Sequence, residues 1–125
     1  MSIEEAFGQY ESGNRARAKS AAEAVLAAAS STAAHRGDAL NLLSVIAQDE
    51  GRQADAESIA RKARAISPGN ALYLNALGKA LLAQGRSAEA VTELTHAHAA
   101  APGEAEILFN LGNAQRLAGL LHEAG

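Results

Sequence analysis

The sequence of 125 residues contains no cysteine and no tryptophan, and only two prolines. Without cysteine the chain forms neither disulfide bonds nor thiolate metal sites, which suits a reducing cytoplasm, where we expect the protein to lie. Aromatic residues make up only 3% of the sequence, and alanine and leucine carry most of its 48% hydrophobic content. Both are strong helix formers and weak strand formers, so the composition predicts an all-α fold.

The sequence also lacks a concentration of charge of one sign. Its net charge is −3, and lysine and arginine are scattered among aspartate and glutamate, so no basic stripe is present to neutralise a phosphate backbone. The first residues are acidic and lack the apolar run of a signal peptide. The longest uncharged apolar stretch, residues 24–34, is short and is interrupted by serine and threonine. We therefore expect neither nucleic acid nor a membrane as a partner.

No group of residues has the spacing of a catalytic centre. The chain has no cysteine nucleophile, no glycine-rich phosphate loop after a strand and no His-Glu-x-x-His sequence. His96 and His98 are two residues apart on a predicted helix, so they point about 200° apart and cannot bind one metal ion together. We expect a protein that is not an enzyme and that has no metal or cofactor.

A fixed period runs through most of the chain, and a period of this kind is typical of stacked helical repeats. Four sets of identical residues are spaced by 34: Gly51, Gly85 and Gly119; Ala56, Ala90 and Ala124; Pro68 and Pro102; Gly78 and Gly112. The glycines of the first set predict the end of one helix, because glycine readily adopts the left-handed conformation found there. The prolines predict the end of the next helix.

Between these stops, apolar residues recur with helical spacing. The pattern predicts helices near 37–49, 53–65, 71–83, 87–99 and 105–117, with a last one beginning near 121. Upstream, a similar pattern recurs at an offset of 38, which predicts helices near 2–12 and 15–29 and four extra residues in the connector 30–36. The predicted units are a degenerate repeat and connector at 1–36, full repeats at 37–70 and 71–104, and a truncated repeat at 105–125.

The middle unit resembles the tetratricopeptide repeat family through these residues: Leu74, Leu77, Gly78, Leu81, Ala90, Leu94, Ala97 and Pro102. The resemblance is good over 37–125 and loose over 1–36. It implies a right-handed superhelical stack of antiparallel helix pairs, an α-solenoid. It also implies that Gly78, Gly112, Ala56 and Ala90 are small because the two helices of a repeat cross closely there.

In this family the first helix of each repeat lines a concave groove that binds an extended peptide or a partner protein. Carried over by position, the predicted groove residues are Asn41, Val45, Gln48, Asn75, Lys79, Leu82, Phe109, Asn110, Asn113 and Arg116, with Asp38, Asp49, Leu72 and Glu106 beside them. The asparagines can donate to and accept from a peptide backbone. The alternative is that they are hydrated or bond to a neighbouring helix. Lys79 and Arg116 are the only cations in this set, which disfavours recognition of a carboxylate terminus.

The sequence stops within a repeat, so we expect it to be the N-terminal piece of a longer protein. Several leucines would then lie near an uncovered surface: Leu108, Leu111, Leu117, Leu120 and Leu121. An exposed leucine face predicts self-association as a homo-oligomer. Three functions remain open: a scaffold that binds a protein or peptide, a domain that presents protein substrates to a glycosyl- or sulfotransferase, and a self-association module.

Overall fold

The computed structural model describes the backbone of residues 2–124 and the side chains of residues 2–120, so the predicted role of Leu121 lies outside the described residues. The described chain is all α-helical. Its helices are α1 (Ile3–Glu11), α2 (Arg15–Ala27), α3 (Ala33–Asp49), α4 (Gln53–Ile66), α5 (Ala71–Ala83), α6 (Ser87–Ala100) and α7 (Ala105–Ala124). None of them has both the length and the apolarity that crossing a bilayer requires, as far as the described residues go.

Each helix packs against the next one along the chain, in antiparallel pairs. The odd-numbered helices also contact one another in the order α1, α3, α5, α7 and so form one continuous layer, while α2, α4 and α6 lie behind it. The predicted all-α stack of helix pairs is confirmed.

The helices begin and end where local chemistry favours it. The side chains of Asn14, Thr32 and Asn70 accept hydrogen bonds from backbone N–H groups in the first turns of α2, α3 and α5. Gly51 and Gly85 have φ values of 77° and 78°, the left-handed conformation that glycine adopts without a steric penalty. These two predicted helix ends are therefore confirmed.

The prediction that Gly119 ends a helix is wrong, because α7 continues through it to Ala124. The difference lies in the residue that follows the glycine. Arg52 and Arg86 follow Gly51 and Gly85, and each forms an ion pair with a carboxylate three residues later, at the start of the next helix. Leu120 offers no such contact and is itself a good helix former, so nothing local favours a turn at that point.

The predicted position of the four extra residues is also wrong. They do not lengthen the connector 30–36, because α3 begins at Ala33 and not near residue 37. The Thr32 side chain accepts a hydrogen bond from the backbone N–H of His35 at 3.1 Å and fixes this earlier start. The extra residues therefore form an additional N-terminal turn on α3.

The two full repeats use different residues where their two helices cross closely. Between α5 and α6, a Cβ on Gly78 would lie 2.5 Å from Cγ of Leu94, so glycine makes room for a large, fully buried leucine. Between α3 and α4, the equivalent positions hold Ser44 and Ala60, both fully buried. The Ser44 hydroxyl donates to the backbone carbonyl of Ala56 at 2.8 Å. Glycine on α5 therefore faces a large leucine on α6, whereas serine on α3 faces a small alanine on α4.

The predicted reason for a small residue holds for Gly78 but not for Gly112 in this structure. A Cβ on Gly112 would have no atom of another residue within 4 Å, because no described helix packs on that side of α7. Ala56 and Ala90 are fully buried, as the close crossing requires.

A polar cluster joins α4 to the C-terminal end of α5 and the N-terminal end of α6. Its centre is Glu57, whose side chain is 14% exposed. Glu57 accepts from Arg61 Nε at 2.9 Å, from Arg86 Nη1 at 2.6 Å and from Gln84 Nε2 at 2.9 Å. Burial alone would raise the pKa of Glu57, but the hydrogen bonds from Gln84 and Arg61 and the two guanidinium charges lower it overall.

We expect Glu57→Gln to destabilise the fold by about 1 to 2 kcal/mol at neutral pH, since it removes a charged acceptor shared by three donors. Because the pKa of Glu57 is lowered in the folded state, its contribution is present above the ordinary carboxyl pKa and is lost as pH falls through the lower folded value. The variant should therefore lose less stability on acidification than the native chain. Urea unfolding at a series of pH values measures both effects.

Asp55→Asn is the matched control, because Asp55 forms an ion pair with Arg52 while 58% exposed. An exposed pair of this kind contributes about 0 to 1 kcal/mol. An equal loss in the two variants would contradict the role assigned to Glu57.

Candidate functional site

A cavity of about 310 Å³ opens on the layer of odd-numbered helices. The residues that line it are Tyr10, Asn41, Val45, Leu72, Asn75, Ala76, Lys79 and Glu106. They come from α1, α3, α5 and α7, and Asn41 and Val45, like Asn75 and Lys79, are four residues apart and so share a helix face. Four of the predicted groove residues, Asn41, Val45, Asn75 and Lys79, are brought together here, along with Leu72 and Glu106 beside them. We call this cavity the groove pocket.

Two of the predicted asparagines bond to each other between α5 and α7. Nδ2 of Asn110 donates to Oδ1 of Asn75 at 3.0 Å, and the two residues are only 9% and 6% exposed. The sequence left two interpretations of these asparagines open, and for this pair the structure shows the bond to a neighbouring helix. Because the bond uses only the oxygen of Asn75, its Nδ2 group keeps its capacity to donate in the groove pocket.

Asn41 differs from the other pocket asparagine because its acceptor has no partner. Its Oδ1 atom is buried from solvent and accepts no hydrogen bond from the described residues. A buried acceptor without a donor is destabilising by about 1 to 3 kcal/mol. Gln53, Ser87 and His98 also have a buried polar atom without a partner among the described residues, but only Asn41 lines the groove pocket. A ligand that supplies an N–H group would remove the penalty if the Asn41 amide turned its oxygen towards the pocket.

The rest of the pocket combines one ion pair with apolar surface. Nζ of Lys79 lies 3.1 Å from Oε1 of Glu106 and links α5 to α7 at the pocket edge. Leu72 of α5 is 56% exposed, and Val45 of α3 is half-buried. The pocket therefore offers amide hydrogen bonds, an aliphatic surface and one neutralised pair of charges.

The remaining predicted groove residues lie outside the pocket lining. Gln48 is used inside the fold, where its Nε2 donates to the backbone carbonyl of Ala76 at 3.0 Å. Leu82 is partly buried against the core between α5 and α6. On α7, Phe109 is 68% exposed, Arg116 is exposed and Asn113 is half-buried. These three lie on the same side of α7 as Glu106, because they follow it by three, seven and ten residues.

Two aspartates predicted beside the groove are held by tyrosines. Tyr10 donates to Oδ2 of Asp49 at 2.7 Å, and Tyr73 donates to Oδ1 of Asp38 at 2.6 Å. Burial and the hydrogen bond to Asp49 raise the pKa of Tyr10 to about 12, and burial and the bond to Asp38 raise the pKa of Tyr73 above its ordinary value. Both phenols are therefore neutral donors at neutral pH, and both fix an aspartate of α3.

Sequence reasoning missed Tyr10 and Ala76 as pocket residues. Tyr10 is related to Gln48 by the offset of 38 that relates the first repeat to the second, which places it at the equivalent position of α1. Ala76 lies one repeat period before Asn110 and has a small apolar side chain, so nothing in the sequence marks it as a pocket residue.

A larger cavity, of about 650 Å³, lies between α1 and α2 and is lined by Glu5, Gly8, Gln9, Ser12, Arg17, Ser20 and Ala21. Its lining is mostly exposed, and it contains none of the described buried polar atoms that lack a partner. Size alone favours this cavity, but the groove pocket is lined by residues of four helices, including the amides of Asn41 and Asn75, and is the better candidate site.

Comparisons with known proteins point to one family. Residues 5–71 and 75–125 match the model of the family described as Tetratricopeptide repeat. The crystal structure of the TPR domain of P58(IPK) superposes with a TM-score of 0.82 at 22% identity, covering 94% of this chain and 33% of that chain. A mutant of the Thermobaculum terrenum O-GlcNAc transferase superposes with a TM-score of 0.81 at 28% identity, covering 90% of this chain and 21% of that one. This chain thus spans about a third and a fifth of those two chains. No curated protein matches the sequence.

Proposed function

This chain belongs to the tetratricopeptide repeat family, whose domains are generally protein-interaction modules, and on that premise we propose that its groove pocket binds an extended peptide segment of a partner protein. The observation that carries the proposal is a pair of amides in one pocket: Asn41, whose Oδ1 has no donor among the described residues, and Asn75, whose Nδ2 is not used in its bond to Asn110. An extended peptide offers an N–H donor and a carbonyl acceptor at every residue, which is the complement of these two groups.

The general spacing of packed helices suits a peptide that extends from Asn41 to Asn75. Asn41 is on α3 and Asn75 is on α5, and packed helices have axes about 8 to 10 Å apart. An extended chain rises about 3.3 Å per residue, so roughly three residues separate the group bound by Asn41 from the group bound by Asn75. The peptide would therefore run across the helices, from α3 towards α5.

Side-chain preference would come from the apolar and charged parts of the lining. Val45 and Leu72 present aliphatic surface next to the two amides, so we expect an aliphatic side chain of the peptide to pack there. The only lysine of the lining is already paired with Glu106. A free carboxylate would have to displace that pair, so an internal segment of a partner suits the groove pocket better than a carboxylate terminus.

The test is capture of a synthetic library of random-sequence decapeptides by the immobilised chain. The native chain should enrich peptides that contain aliphatic residues, and Asn41→Ala should weaken binding of an enriched peptide about five- to tenfold, because one hydrogen bond contributes about 1 kcal/mol. Lys79→Ala should alter the selected sequences, since it frees Glu106 to attract basic side chains.

Asn75→Ala and Asn110→Ala form a matched pair. Both remove the hydrogen bond between α5 and α7 and should destabilise the fold alike, but only Asn75 lines the groove pocket. Weaker binding by Asn75→Ala than by Asn110→Ala supports the proposal. No enrichment by the native chain, or equal binding by the Asn41→Ala variant, would refute it.

A second role is favoured by the superposition on the O-GlcNAc transferase structure. In this alternative the groove presents a protein substrate to a catalytic domain of a larger transferase. Sequencing the reading frame beyond the codon for Gly125 tests it: a domain that binds a nucleotide sugar or nucleotide sulfate would support this role. Further repeats followed by a stop codon would favour a free adaptor.

A further inference from the structure

Two carboxylates lie at the ends of one line of side chains on α3. The line consists of Asp38, Asn41, Val45 and Asp49. Their spacings of three, four and four residues place them on one face of the helix. Asn41 and Val45 line the groove pocket, so Asp38 and Asp49, which we call the α3 carboxylates, lie about one helical turn beyond the lining on either side. Asp38 is half-buried and Asp49 is exposed.

Each of the α3 carboxylates is held by a neutral donor from a neighbouring helix. Tyr10 of α1 donates to Oδ2 of Asp49, and Tyr73 of α5 donates to Oδ1 of Asp38. Burial and the bonded aspartate raise the pKa of each phenol, so at neutral pH the phenol keeps its proton and the aspartate keeps its negative charge. No described residue donates to the second oxygen of either carboxylate. Both are therefore fixed in position and still able to accept a hydrogen bond from a ligand.

The other charges near the groove pocket do not offset the α3 carboxylates. Glu106 lines the pocket, but Lys79 pairs with it at 3.1 Å, so these two charges cancel. Arg15 of α2 is near enough to oppose the rise in the pKa of Tyr10. It forms no ion pair with either α3 carboxylate in the described part of the chain. Arg116 lies ten residues beyond Glu106, about 15 Å along α7. The pocket is therefore flanked by two negative charges to which no described cation is bonded.

We propose, resting on the proposed function of the groove pocket, that the partner segment is basic: a lysine or arginine next to its aliphatic residue pairs with an α3 carboxylate. Successive side chains of an extended peptide point to opposite sides, so a peptide that crosses α3 can direct one side chain towards Asp38 and the next towards Asp49. The pocket lining and each carboxylate are separated by about 4.5 to 6 Å along the helix, a distance that a long lysine or arginine side chain covers. An acidic segment would meet two negative charges and be repelled.

Aspartate-to-asparagine variants separate the charge of the α3 carboxylates from their structural bonds. Asparagine keeps an oxygen that accepts from the tyrosine hydroxyl, so Asp38→Asn and Asp49→Asn should unfold in urea close to the native chain. At least one of them should weaken binding of a lysine-containing decapeptide enriched from the random library about two- to fivefold, the range for an exposed ion pair. The same peptide with glutamine in place of lysine should bind the native chain and both variants equally.

The double variant should no longer prefer the lysine peptide over the glutamine peptide. Asp55→Asn is the matched control, because Asp55 is an exposed aspartate of α4 that does not line the groove pocket, and this variant should keep the full preference. Raising the salt concentration should weaken binding of the lysine peptide to the native chain more than binding of the glutamine peptide, since salt screens exposed charges.

Capture of random-sequence decapeptides by the immobilised native chain tests the charge preference separately from the groove pocket itself. The captured peptides should be enriched in lysine and arginine over aspartate and glutamate, in addition to aliphatic residues. Enrichment of aliphatic residues without this basic bias would overturn the charge preference and leave the groove pocket as the binding site. A double variant that still prefers the lysine peptide would do the same. Capture of no peptides above background would refute both the charge preference and the peptide-binding function.

Discussion

Leu94→Ala is expected to destabilise the fold by about 2 to 5 kcal/mol, the range for removing a fully buried leucine and leaving a cavity. Leu94 is 0% exposed and lies over the notch at Gly78. Urea unfolding monitored by circular dichroism measures the loss, and Leu120→Ala, at an exposed position of α7, should change stability by less than about 0.5 kcal/mol.

The first full repeat suggests how that loss can be recovered. Ser44 and Ala60 occupy the positions equivalent to Gly78 and Leu94, and the Ser44 hydroxyl donates to a carbonyl of the partner helix. Gly78→Ser alone should destabilise, because its Cβ would collide with Leu94. In the Leu94→Ala background the same change should restore about 1 kcal/mol or more, since the hydroxyl gains that hydrogen bond. Additive losses in this double-mutant cycle would contradict the proposed exchange of volume between the two helices.

Gly37→Ala is expected to destabilise the fold by about 1 to 3 kcal/mol, although alanine is the better helix former. A Cβ at this position of α3 would lie 2.5 Å from the hydroxyl oxygen of Tyr73 and 2.9 Å from two of its ring carbons. The ring cannot move aside easily, because Tyr73 is 2% exposed and its hydroxyl is bonded to Asp38. Thermal or urea unfolding measures the change.

Gly112→Ala is the matched control for Gly37→Ala. Both glycines lie within helices, but Gly112 faces open space, so this substitution should stabilise the chain by about 0.5 to 1 kcal/mol. Both substitutions replace a helical glycine by alanine, but their effects on the free energy of unfolding should have opposite signs. If Gly37→Ala were also stabilising, the contact between α3 and Tyr73 would not be as close as described.

The sequence predicted those helix boundaries that glycine and proline mark most directly. Gly51 and Gly85 end helices as expected, because the left-handed conformation they adopt is costly for any other residue. Gly119 does not end a helix, because a glycine permits a turn without requiring one. The arginine that follows Gly51 and Gly85 is replaced by Leu120, so the ion pair at the start of the next helix is lost even though Glu123 keeps the position of the carboxylate. The extra turn of α3 was missed because a run of small residues before it contains no apolar periodicity.

The groove was predicted less completely than the fold. Periodicity places Asn41 and Asn75 on equivalent faces of successive helices, and both line the pocket. Which asparagine is free to bind a ligand depends on what lies on the neighbouring helix. Asn75 meets Asn110, whereas Oδ1 of Asn41 meets no donor among the described residues, and a repeat spacing carries no information about that difference. Tyr10 was missed because the first repeat resembles the others only loosely.

The most direct test of the groove pocket as the binding site is a titration of the ¹⁵N-labelled chain with a decapeptide selected from the random library, followed through the side-chain amide resonances. Asn75 and Asn41 should shift together with one dissociation constant, while Gln84, which is bonded to Glu57 away from the groove, should not move. Shifts confined to Gln84 or to Gln9 of the cavity between α1 and α2, with Asn41 and Asn75 unchanged, would contradict the proposed site.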